Sequence, residues 1–149
     1  MMEQKKPEGI VSRLEAAISR ADIIELVGDG SCGKTTALKE LQNRLGEKGI
    51  RLGIFTDEQI VDSLLSELNK QSSEGTDAHR SFRNKYLQYD VIAIDDFDLL
   101  SGRPVTMETL MLLLHNMPNG VRPLILAERS LVIYPRREWY IVETIMLQD

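Results

Sequence analysis

Hydrophobic and polar positions along the chain follow two rhythms, one of helices and one of strands. Ile10, Val11, Leu14, Ala17 and Ile18 recur at helical spacing, which predicts one buried helix face after a polar, frayed stretch over residues 1–8. Ile23 to Val27 is an apolar run broken only by Glu25; it reads as a buried strand that the glycine-rich segment Gly28 to Gly33 stops. Helical spacing returns with Ala37, Leu38, Leu41 and Leu45 and ends at Gly46 and Gly49, where glycine can take the left-handed conformation that closes a helix. Arg51 to Phe55 supplies a second strand. Asp57 is placed to cap a helix whose Ile60, Val61, Leu64, Leu65 and Leu68 face the core, followed by a polar loop over Gln71 to Asp77 and a further helix from Ala78 to Leu87.

Val91 to Ile94 is continuously apolar, as a parallel strand covered on both faces should be, and it ends in Asp95-Asp96. Beyond a loop with Gly102 and Pro104, Thr106 to Met117 reads as a helix, Asn119-Gly120 as a turn, Pro123 to Ala127 as a fourth strand and Trp139 to Leu147 as a fifth. Strands alternating with helices at this spacing form βαβ units, whose right-handed crossovers require a parallel sheet between helix layers. No repeat, low-complexity tract or interdomain linker interrupts the pattern, so residues 1–149 are expected to form a single α/β domain.

Composition narrows the picture. At 42% hydrophobic and 28% charged, the chain is that of an ordinary globular protein, not a disordered one. A formal charge of −5 argues against broad electrostatic binding to nucleic acid or anionic membrane, though not against a local basic patch. Cys32 is the single cysteine, which excludes an intramolecular disulfide framework. The longest apolar runs, such as Leu110 to Leu114, fall far short of the roughly 20 residues a bilayer crossing needs. With no apolar signal core near the N-terminus either, a cytoplasmic protein is expected.

Gly28-Asp29-Gly30-Ser31-Cys32-Gly33-Lys34-Thr35 satisfies the G-x-x-x-x-G-K-[ST] pattern of a phosphate-binding loop, and it lies between a strand and a helix as that loop requires. Backbone N–H groups over Gly28 to Thr36 and the helix N-terminus would hold phosphate oxygens, Lys34 would reach the β- and γ-phosphates, and the Thr35 hydroxyl would coordinate Mg²⁺. Cys32 is read as a small loop residue in preference to a redox centre. Asp95 and Asp96 fall at the carboxyl edge of a strand, where ligands of open α/β sheets bind. They look like a Walker B element, Asp95 holding Mg²⁺ through water and Asp96 orienting the attacking water. The long separation from Lys34 leaves room for a helix, a strand and a helix, which would let the two motifs lie on adjacent strands.

Ser81-Phe82-Arg83-Asn84-Lys85-Tyr86, followed by Tyr89-Asp90-Val91-Ile92-Ala93-Ile94-Asp95-Asp96-Phe97-Asp98-Leu99-Leu100, resembles the AAA+ ATPase domain of the DnaA family of bacterial replication initiators. The resemblance extends from about Ile23 to the C-terminus. It implies a three-layer αβα P-loop NTPase core with a five-stranded parallel sheet in the order 5-1-4-3-2. It implies ATP and Mg²⁺ as ligands, with Lys34 and Asp96 in the chemistry. Leu124 to Arg129 resembles the family's sensor 1 strand, with Glu128 where an Asp usually reads the γ-phosphate. Arg136, within Pro135-Arg136-Arg137-Glu138-Trp139, matches the family's arginine finger, which acts on a neighbouring subunit's nucleotide; alternatively, Arg136 and Arg137 are a solvated basic pair before a strand.

The family continues past the fifth strand into a helical lid and a helix-turn-helix domain that have no counterpart in this sequence, and its adenine-binding segment is abbreviated. Weak ATP affinity and no sequence-specific duplex reading are therefore expected. The expected function is a DnaA-like ATPase core with slow hydrolysis coupled to assembly in DNA replication, by self-association or with an initiator or a helicase loader. The alternative is a nonhydrolysing regulatory module; a small-molecule kinase is a third reading, disfavoured by the Asp95-Asp96 pair. Arg80, Arg83 and Lys85 could follow single-stranded DNA or simply form a solvated helix face. Phe82, Tyr86, Leu110, Leu113, Leu114 and Trp139 are read as core, and His79 and His115 lack a metal-ligand pattern.

Overall fold

The computed structural model describes residues 7–28, 33–63, 65, 88–115, 123–134 and 137–147. Helix α1 (Pro7–Ile18), strand β1 (Ile23–Val27) and helix α2 (Lys34–Gly46) are followed by β2 (Leu52–Thr56) and a helix over 57–63, α3. After β3 (Val91–Asp95) come a 3-10 helix (Phe97–Gly102), α4 (Pro104–His115), β4 (Leu124–Glu128), a 3-10 turn (Arg137–Trp139) and β5 (Val142–Met146). The polar loop and helix expected over 71–87 lie outside the described residues, and with them Arg80, Arg83, Lys85, His79, Phe82 and Tyr86.

All five strands are parallel, in the order β2-β3-β4-β1-β5, which is the expected 5-1-4-3-2 arrangement read from the other edge. Each pair is in simple register, as in Ile23 beside Leu124 on one side and Val142 on the other. Period-two alternation sends side chains to two separate cores. Ile24, Leu26, Val91, Ala93, Ile125 and Ala127 meet α1 and α2 on one face, while Ile23, Ile92, Ile94, Leu124 and Leu126 meet Ile60, Phe97, Leu110 and Met111 on the other. Both faces of β1, β3 and β4 are thereby buried, which is why these strands carry near-continuous apolar runs.

Several boundaries differ from the sequence reading for identifiable reasons. The α2 helix closes at Gly49 alone, which has φ +79°, while Gly46 is its last helical residue. Ile50 N–H donates to the Leu45 carbonyl at 3.0 Å and Gly49 N–H to the Gly46 carbonyl at 3.1 Å, a Schellman closure with Ile50 tucked onto the core. The α3 helix is capped by Thr56, not Asp57: Gln59 N–H donates to Thr56 Oγ1 at 3.1 Å and Thr56 N–H to Gln59 Oε1 at 2.9 Å, a reciprocal capping box. Pro104 opens α4 two residues before the expected Thr106, a position where its missing N–H costs nothing. Trp139 is 63% exposed and belongs to the 3-10 turn, so it is neither strand nor core.

Candidate functional site

The carboxyl edge of the sheet gathers the polar chemistry. Gly28 leaves β1 with its N–H donating to the Glu128 carbonyl at 3.0 Å, which ties the start of the loop to β4. At the loop's far end Gly33 has φ +87°, in the left-handed region that favours glycine. Its carbonyl accepts the Ala37 N–H at 2.9 Å and so begins α2. The Lys34 side chain is buried, and its Nζ donates to the Gly28 carbonyl, bridging the two ends of the loop. Asp29, Gly30, Ser31 and Cys32 lie outside the described residues.

The β3 strand brings Asp95 to the same place. One carboxylate oxygen accepts the Thr35 hydroxyl at 2.7 Å and the other accepts the Asp96 N–H at 3.1 Å, so both oxygens are oriented. Asp96 has φ 59° and ψ 36° and is the one non-glycine residue with positive φ among the described residues, a strained conformation of the kind that collects at functional sites. Partial desolvation, and then the charges of Asp95, Asp57 and Asp98, raise the Asp96 pKa against the opposing pull of Lys34. Its carboxylate is therefore a better proton acceptor than an isolated aspartate.

Gly33, Lys34, Thr35, Thr36, Asp95 and Asp96 line one cavity of about 300 Å³, together with Arg129. The two motifs do not sit on adjacent strands, because β4 runs between β1 and β3; the 2.7 Å Thr35–Asp95 bond spans that gap from the first turn of α2. Thr35 and Asp95 offer the hard oxygen donors that suit Mg²⁺, whose remaining ligands are ordinarily phosphate oxygens and water. Among the described residues no group of three or more His, Cys, Asp or Glu side chains could hold a metal.

Glu128, the last residue of β4, is fully buried, and its carboxylate is not part of the cavity wall. Oε2 accepts the Val132 N–H at 3.0 Å, while Oε1 has no partner among the described residues. Burial first, and then the charge of Glu25, push its pKa up to about 8, with the Val132 N–H working the other way. The residue that follows it, Arg129, is on the cavity wall instead. Sequence reading placed Arg129 at the end of the sensor-like strand but gave it no role.

Glu25 is a second element of the site's support that the sequence did not disclose. Its fully buried carboxylate accepts Tyr134 Oη at 2.6 Å, Arg137 Nε and Nη2 at 2.7 and 3.0 Å, and Thr144 Oγ1 at 2.9 Å. Burial alone would raise the Glu25 pKa, but the hydrogen bonds from Arg137, Tyr134 and Thr144 and the Arg137 charge outweigh it and hold the group below its usual range. Arg137 is thus an intramolecular anchor and not half of a solvated basic pair. Arg136 lies outside the described residues.

No family model matches the chain. Curated relatives in sequence are chromosomal replication initiator proteins DnaA: that of Aliarcobacter butzleri is 28% identical over 106 residues, which is 71% of this chain and 23% of the relative. That of Helicobacter acinonychis is 28% identical over 131 residues, 82% of this chain and 28% of the relative. The chain therefore spans about a quarter of the length of these relatives. In fold it is similar to AMPPCP-bound DnaA from Aquifex aeolicus, with TM-score 0.73 and 19% identity over 99% of this chain and 48% of that one. Domain III of the Thermotoga maritima replication initiation protein DnaA superposes with TM-score 0.72 and 16% identity over 99% of this chain and 65% of that domain. The resemblance read from the motifs thus extends to the whole described fold, which is similar to that of these DnaA structures. Among the described residues no helix is long and apolar enough to cross a membrane.

Proposed function

We propose that this DnaA-like chain binds ATP with Mg²⁺ at the Lys34–Asp95 cavity and hydrolyses it slowly, using nucleotide state to control protein assembly in DNA replication. The observation that carries the reading is the 2.7 Å bond from Thr35 to Asp95 beside the buried Lys34, within one cavity. It brings together a phosphate-binding cation and a cation-binding hydroxyl from the first turn of α2 and an acidic strand end from β3. The structural relatives add support, since one was solved with AMPPCP and another with AMPPCP and single-stranded DNA.

In this reading the N–H groups at the start of α2 and Lys34 Nζ bind the phosphates, the ammonium leaving the Gly28 carbonyl for a charged partner. Thr35 and Asp95 would hold Mg²⁺, which when bound neutralises charge on the β- and γ-phosphates. Asp96, with its raised pKa, orients water toward the terminal phosphate and accepts its proton. The partner is a second copy, a replication initiator or a helicase loader, with Arg136 acting across that interface; any DNA contact is without sequence specificity.

A nonhydrolysing regulatory role is the second reading. It is favoured by Glu128, whose carboxylate is occupied by Val132 and stands outside the cavity wall. Calorimetric titration with ATP and ADP in Mg²⁺, on wild type and Lys34→Ala, with phosphate release followed in the same samples, separates the two. Lys34-dependent binding with slow turnover supports the ATPase. Lys34-dependent binding with no turnover supports the regulatory module, and no Lys34-dependent binding up to millimolar nucleotide removes both.

A further inference from the structure

We propose that Arg129 contacts the terminal phosphate from within the same chain and that Asp98 is its positioning residue. The inference rests on the nucleotide-binding reading above and goes beyond it, because it assigns discrimination between tri- and diphosphate to a residue outside both motifs. Arg129 follows β4, the strand that runs between β1 and β3, so it emerges between the phosphate loop and the acidic strand end. There it lines the cavity with Lys34, Thr35, Asp95 and Asp96. Thr35 and Asp95 would hold a cation that neutralises the terminal phosphates, and a guanidinium on the same cavity wall is placed toward that end of the ligand in preference to its sugar.

Asp98 grips this residue at two points. Its Oδ1 accepts the Arg129 backbone N–H at 3.2 Å, and its Oδ2 accepts Nε at 3.0 Å. Asp98 is itself nearly buried, with a side chain only 10% exposed, whereas that of Arg129 is 56% exposed. An inner carboxylate thus holds the base of an outer guanidinium. The tether uses Nε, and among the described residues neither Nη forms a hydrogen bond, so the fork that pairs with phosphate oxygens is the unengaged part. Glu128 does not compete for this role, since its carboxylate is turned to Val132.

The test is calorimetric titration of the full chain with Mg²⁺-AMPPCP and Mg²⁺-ADP, comparing wild type, Lys34→Ala, Arg129→Ala, Arg129→Lys and Asp98→Asn. Arg129→Ala is expected to weaken AMPPCP binding about tenfold or more while leaving ADP within about twofold. Asp98→Asn should lower the same AMPPCP-to-ADP preference by a smaller factor, and Arg129→Lys should restore part of it. Circular dichroism melts of each variant identify any that fail to fold, and Arg129→Lys then carries the comparison. Lys34-dependent binding with an unchanged AMPPCP-to-ADP ratio in both Arg129 variants overturns the assignment alone. Absence of Lys34-dependent binding in wild type overturns the nucleotide site and the assignment together.

Discussion

Glu25 and Glu128 are two buried carboxyls in opposite states, and the difference follows from their partners. Glu25 is held ionised by Arg137, Tyr134 and Thr144, whereas Glu128 has one backbone N–H and a carboxylate neighbour. Arg137→Ala should destabilise the fold by about 2 kcal/mol, toward the low end for a broken buried pair because water reaches the half-exposed guanidinium; urea unfolding at pH 7 checks it. The pH signs are opposed. Glu25, with a lowered folded pKa, stabilises above its unfolded value of about 4.3, and that contribution is lost as pH falls through the folded value. Glu128, folded at about 8 against about 4.3 unfolded, keeps a proton that the unfolded chain has shed. Stability therefore declines as pH rises between those values, by up to about 1.4 kcal/mol per unit, and levels off above the folded value. Glu128→Gln should flatten this decline between pH 5 and 8, and parallel urea-stability curves for the two proteins would refute it. Lys34, Thr35 and Asp95 were legible because their motif spacing encodes the local geometry. The Glu25 network was not, because Tyr134, Arg137 and Thr144 are 109, 112 and 119 positions away. The only trace was a lone carboxylate inside an apolar run.

At the scale of elements, strands covered on both faces announced themselves, and β1 was read with its observed ends. Ends governed by a few hydrogen bonds were harder to place. Thr56-Asp57-Glu58-Gln59 carries a capping-box pattern that outranks the single Asp57 at the same junction, because two backbone N–H groups are satisfied at once. Thr56→Ala should cost about 1 kcal/mol and Thr56→Ser much less, measured by chemical denaturation. Phe97 to Leu100 carries no helical pattern in the sequence, because a short 3-10 segment has no periodicity of its own. Its Phe97 nonetheless reaches Tyr134 edge-on at 5.9 Å and helps to close the second core. Gly53 in β2 is a further case, since a Cβ there would stand 2.8 Å from the Phe55 ring and 2.9 Å from that of Tyr89. Those rings form a T-shaped pair with centroids 5.5 Å apart, so neither can yield without disturbing the other. Gly53→Ala should lower stability by about 1–2 kcal/mol, and the loss should shrink in a Tyr89→Ala background, where one ring is removed and the Phe55 ring has room to yield.

For the whole molecule, the all-parallel order follows from elements that the hydrophobic rhythm already separated, since crossover handedness leaves few ways to stack them. What the rhythm could not convey is that β4, late in the chain, slides between β1 and β3 and brings Arg129 to the cavity. The consequence is that the proposed site draws its cavity wall from the start of α2, the end of β3 and the residue that follows β4. A nucleotide that bridges these elements binds the folded chain and not the unfolded one, so binding must raise global stability. At about 100 times the dissociation constant the gain is about 2.7 kcal/mol, a rise in Tm of roughly 5–10 °C for a domain of this size. Differential scanning calorimetry with Mg²⁺-ATP should show that rise in wild type, a smaller one when Mg²⁺ is chelated, and almost none in Lys34→Ala. An equal rise in Lys34→Ala would place the nucleotide elsewhere on the molecule, because the cavity without its buried ammonium retains too little positive charge to hold the phosphates.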